Sequence, residues 1–101
     1  MMSASPTLSH LFADLDEMHR ALQADDLERL QAVMTRHDLG VRLYMQSHAQ
    51  QADRQALAQL FTGQRDLQAA MEQAREHASQ QMQATQRAGR ATRAYLSLVG
   101  A

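Results

Sequence analysis

Cysteine, lysine, isoleucine and tryptophan are all missing from this chain of 101 residues. Without cysteine there can be no disulfide, thiolate metal site or thiol nucleophile, and nothing demands an oxidising compartment. One proline and four glycines leave little of the turn chemistry that a sheet of short strands requires. No apolar run approaches the ~20 residues of a membrane-spanning helix. The opening MMSASPTLSHLF lacks the basic region of a signal peptide. These absences predict a single soluble, cytoplasmic domain over residues 1–101, with no membrane insertion.

What is present favours helix. Eighteen of the apolar residues are alanine, and Leu, Met, Val, Phe and two Tyr fill the remainder. Ala, Leu, Gln, Arg, Glu and Met are the strong helix formers, so the composition predicts an all-α fold. Net charge is −1, but residues 10–28 carry Asp14, Asp16, Glu17, Asp25, Asp26 and Glu28 against Arg20 alone. Residues 84–101 carry Arg87, Arg90 and Arg93 and no acid. Near-neutrality argues against a dedicated nucleic-acid-binding domain, which would present a net basic patch.

Three amphipathic patterns follow along the chain. Ser5-Pro6 reads as an N-cap with Pro in the first turn. Leu8, Leu11, Leu15, Met18 and Leu22 then alternate steps of three and four, with Phe12 beside them. This predicts a first helix over 6–24, ended by Asp25 or Asp26, either of which suits the N-cap of the next. A second helix over 26–48 carries Leu27, Leu30, Val33, Met34, His37, Val41, Tyr44, Met45 and His48, with Gly40 inside it. The polar stretch SHAQQADRQ (47–55) reads as a turn, with Asp53 capping a third helix over 53–97. That helix would be ~65 Å long, about twice the other two. The expected architecture is an antiparallel three-helix bundle or hairpin. Its third helix would overhang, bend at Gly63 or Gly89, or pack elsewhere.

No catalytic constellation emerges. His10, His19, His37, His48 and His77 form no HExxH or HxxxH pair, and a metal site needs several ligands to converge. Asp14, Asp16 and Glu17 read as a solvated helix face. Asp25, Asp26 and Glu28 read as charges favoured at a helix start. Gly40, Gly63, Gly89 and Gly100 are isolated, so no phosphate loop exists. The expectation is a non-enzymatic protein with no metal and no cofactor. Arg87, Arg90 and Arg93 read first as cations near a helix C-terminus and second as interface anchors, a role Tyr95 shares. Met18, Met34, Met45, Met71 and Met82 place at least one flexible thioether on each helix. Such side chains fill cores, and they also suit surfaces that accept helical ligands.

An acidic break leads into the D-x-x-x-L start Asp26-Leu27-Glu28-Arg29-Leu30, followed by an Arg-bearing second helix. The third helix opens on Leu57, Leu60, Phe61 and Leu67 and ends near the pair Ala94-Tyr95. With these features the chain resembles the FliT-type flagellar export chaperones, small cytoplasmic helical proteins. The resemblance implies binding of the C-terminal helical segment of the filament-cap protein (FliD-like), which is kept unpolymerised and delivered to the flagellar type III export apparatus. It also implies contact with the ATPase complex of that apparatus and, in some members, with the flagellar transcription regulator. Transferred by position, the partner-binding residues would be Val41, Leu57, Leu60, Phe61, Gln64 and Tyr95.

Two features depart from the family. Leu27 replaces an aromatic often found at the second helix start, and the chain ends at Ala101 without a helix to fold back over the groove. An open groove, prone to homodimerisation, is the expectation. Competing readings are a chaperone of hook–filament junction proteins (FlgN-type), a regulatory adaptor, and a structural coiled-coil oligomer.

Overall fold

The computed structural model describes residues 7–48 and 53–100, and every element among them is an α-helix. The order is α1 (Leu8–Gln23), α2 (Leu27–His48) and α3 (Arg54–Gly100). The chain divides into two compact units, residues 1–69 and 70–101, with the division inside α3. The helical assignment of α3 is uninterrupted at both Gly63 and Gly89.

The start of α1 differs from the sequence expectation. Thr7, not Ser5, is the N-cap, and Ser5 and Pro6 lie outside the described residues. The His10 N–H donates to Thr7 Oγ1 at 3.2 Å, and the Thr7 N–H donates back to His10 Nδ1 at 3.3 Å. This is a reciprocal capping box in which an imidazole takes the place usually held by Glu or Gln.

The α1–α2 turn is a Schellman motif. The Asp26 N–H reaches Ala21 O at 2.9 Å and the Asp25 N–H reaches Leu22 O at 3.1 Å, and Asp25 takes the left-handed conformation with φ 57°. Asp26 then caps α2, its Oδ1 accepting from the Arg29 N–H at 3.1 Å. Of the two acids expected to compete for the cap, one closes the first helix and the other opens the second. Asp53 caps α3 as expected, its Oδ1 accepting from the Gln55 N–H at 2.9 Å.

A left-handed Asp is strained where Gly is not. Asp25→Gly should therefore raise the stability of the first unit by about 0.5–1 kcal/mol. Thermal melting should show a gain of a few degrees.

The first unit has a contiguous apolar core. Leu11, Leu15, Met18 and Ala21 of α1 are buried together with Leu30, Val33 and Tyr44 of α2 and Leu60 and Leu67 of α3. The Leu15 side chain of α1 packs against the α3 backbone at Gly63, where an added Cβ would come within 2.7 Å of Leu15 Cδ1. Any larger residue there would force the Leu15 side chain to move. Leu27, expected on the apolar face of α2, is instead 61% exposed at the first turn of the helix, ahead of the core.

In the second unit, residues 70–100 are helical and none is buried. Its last turn carries no basic residue. Because the dipole acts only within the last turn, Arg87, Arg90 and Arg93 lie too far from Gly100 to serve it. That sequence reading is corrected.

Candidate partner-binding groove

Two polar residues, Asp14 of α1 and His37 of α2, occupy core positions of the first unit, and the half-buried Gln64 of α3 borders them. Asp14 and His37 are 7% and 3% exposed. His37 Nδ1 lies 3.3 Å from Asp14 Oδ2, and His37 Nε2 lies 2.9 Å from Gln64 Nε2. One imidazole tautomer satisfies all three: Nδ1–H donates to the carboxylate, and Nε2 accepts from the Gln64 amide. Both ring nitrogens are then committed to neighbouring helices. The arrangement is a polar staple joining α1, α2 and α3.

Asp14 continues the network outward. Arg36 Nε and Nη2 donate to Asp14 Oδ1 at 3.1 and 2.7 Å, and Arg36 Nη2 also donates to Glu17 Oε2 at 2.6 Å. Glu17 pairs in turn with Arg29. The pairs Glu17–Arg29 and Asp14–Arg36 step along α1 and α2 in opposite senses, as the three-residue turn between the helices requires. Asp14 is thus not part of a solvated face. It lies three residues after Leu11 and four before Met18, on the stripe that faces the core.

Beside this network an open apolar groove of about 450 Å³ runs between α1 and α2. Leu11 and Ala13 line it from α1, and Leu39, Gly40 and Leu43 line it from α2. Leu39 and Leu43 are 55% and 42% exposed. At spacing i, i+4 they form one ridge, separate from the α2 face carrying Leu30, Val33, His37 and Tyr44. The polar side chains of the groove are His10, Asp14 and Arg36, and the last two already pair with each other. The volume falls within the range of ligand-accepting clefts.

The residues transferred from the family resemblance are dispersed by the fold. Leu60 is 1% exposed and belongs to the core, so the reading of its side chain as a partner contact is corrected. Gln64 is half-buried and engaged with His37. Val41 and Leu57 are half-buried, and Phe61 is 42% exposed. Tyr95 belongs to the second unit and is 65% exposed. None of the six lines the groove.

The groove residues Leu39 and Leu43 were passed over in the sequence because they lie off the dominant α2 stripe. Two leucines one helical turn apart outside that stripe were the available signal. Among the described residues no cluster of three or more His, Asp or Glu is placed to hold a metal ion. No described helix is long and apolar enough to cross a membrane.

Comparison with known proteins found no matching family model, no matching curated protein and no matching solved structure.

Proposed function

We propose that this chain is a non-enzymatic chaperone of the FliT type, built as an antiparallel three-helix bundle with a long third helix. It holds an amphipathic client helix in the groove between α1 and α2. The observation that carries this reading is the exposed Leu39–Leu43 ridge beside an apolar floor, since an amphipathic helix buries its apolar face in such a groove. An unpaired apolar surface of this kind on a small protein calls for a partner.

The family resemblance supplies the client: the C-terminal segment of a filament-cap protein, held unpolymerised in the cytoplasm and passed to the export apparatus. In this reading the ATPase complex and the flagellar transcription regulator are further partners. The family's partner surface lies on the second and third helices, whereas the groove uses the first and second. The second helix is common to both.

The test is fluorescence anisotropy with a labelled peptide from the C-terminal segment of the filament-cap protein. Leu43→Asp, at an exposed position, should leave helicity unchanged and weaken binding by at least about tenfold, as loss of an interface anchor does. Unchanged binding in Leu43→Asp and Leu39→Asp, together with loss in Phe61→Asp, would move the client to the α2–α3 surface. No binding to any of the proteins would reject the client.

A further inference from the structure

The segment 70–100 forms a unit whose large apolar side chains Met82, Tyr95, Leu96, Leu98 and Val99 are exposed. Three of them, Met82, Leu96 and Val99, fall on one line along the helix. Met82, Thr85, Gly89, Thr92, Leu96 and Val99 follow one another by alternating steps of three and four, the spacing of a coiled-coil seam. A Cβ added at Gly89 would meet nothing within 4 Å, so the seam is open to close approach by another helix.

The charges of the segment are polarised along its length. Glu72 and Glu76 stand at its start with Arg75 between them, no acid follows, and Arg87, Arg90 and Arg93 stand towards its end. Neither Glu72 nor Arg93 takes part in an ion pair among the described residues.

We infer that this segment pairs antiparallel with the same segment of a second copy of the chain. A parallel pair would bring the three arginines of each copy level with one another, and like charges facing each other across a helix pair destabilise it. An antiparallel pair sets the two glutamates at the start of one copy beside the arginine-bearing, acid-free end of the other. With the two-fold axis between Met82 and Thr85, Ala78 of one copy lies opposite Gly89 of the second. Glu72 then lies two residues from the level of Arg93 of the second copy, on the same flank of the seam and within reach of an ion pair. Symmetry makes that ion pair twice, as an isologous interface requires. The pairing uses no residue of the α1–α2 groove, so it stands or falls separately from client binding.

The native chain has no cysteine, which gives a clean background for crosslinking the full-length protein. Ala78→Cys and Gly89→Cys chains are mixed, oxidised and resolved by non-reducing electrophoresis and mass spectrometry. The mixed 78–89 disulfide should predominate. Sedimentation equilibrium should show a dimer, weakened about tenfold by Glu72→Arg or by Arg93→Glu and restored when both reversals are combined in one chain. Predominance of 78–78 and 89–89 disulfides would overturn the antiparallel register. A monomer throughout the accessible concentration range would overturn the pairing itself. A dimer indifferent to both charge reversals would overturn the register that the charges define.

Discussion

Leu60→Asp should unfold the first unit, while Phe61→Asp, one residue further along, should leave it folded. The two side chains leave α3 about 100° apart, and that angle separates burial from solvent. Leu60 is 1% exposed in the core, whereas Phe61 is 42% exposed. A carboxylate forced into the Leu60 site would be buried without a partner, which exceeds what a small domain tolerates. The milder Leu60→Ala should cost about 3 kcal/mol through lost transfer energy and a residual cavity. Thermal melting followed by circular dichroism should show a fall of about 15 °C. Phe61→Asp should lower the melting temperature by only a few degrees. If the two variants behave alike, the packing of α3 onto the first two helices is wrong. The contrast also guards the client test, because loss of binding in Leu60→Asp would report lost folding and not a lost contact.

Asp14→Ala should destabilise the first unit by about 2–3 kcal/mol, lowering its melting temperature by about 10–20 °C. The cost arises mainly at His37. Its buried Nδ1–H loses the acceptor it has in Asp14, and an unsatisfied buried donor is penalised more than a made hydrogen bond is rewarded. The ion pair with Arg36 contributes less, because that guanidinium is 56% exposed and water screens it. Arg36→Gln should accordingly cost under about 1 kcal/mol. Replacing both buried partners, as in Asp14→Leu with His37→Leu, should recover much of the stability, since the imidazole donor is removed with its acceptor and only the half-buried Gln64 amide must find another partner. A double-mutant cycle across these variants measures the coupling directly. Additive effects of Asp14→Ala and His37→Ala would show that the staple does not act as a unit.

The three helices were legible in the chain because each carries leucines and methionines at steps of three and four. The caps at Asp26 and Asp53 were legible because short acidic side chains at those points satisfy otherwise unpaired amides. The cap of α1 was misplaced because Ser5-Pro6 carries the stronger local signal, whereas Thr7 gains its advantage from a reciprocal bond with His10. The polar staple was hidden for a different reason. Asp14, His37 and Gln64 each occupy a stripe position normally held by an apolar residue. Their complementarity, acceptor to ring to amide, exists only once three helices converge. The groove is not legible in the sequence because Leu39 and Leu43 form a short second ridge beside the longer apolar stripe of α2.

Periodicity, capping chemistry and helix propensity are properties of neighbouring residues, and the chain by itself therefore determined that it is all-α, where α2 and α3 begin, and which face of α1 turns inward. Burial is a property of what lies opposite. Tertiary structure alone decided that Leu60 is core and Phe61 surface, that Asp14 is drawn inward to His37 and Arg36, and that the Leu15 side chain occupies the space beside Gly63. It also left Leu39 and Leu43 as the exposed edge of a groove, because the α1–α2 contact is closed by the neighbouring face of α2 and does not reach them.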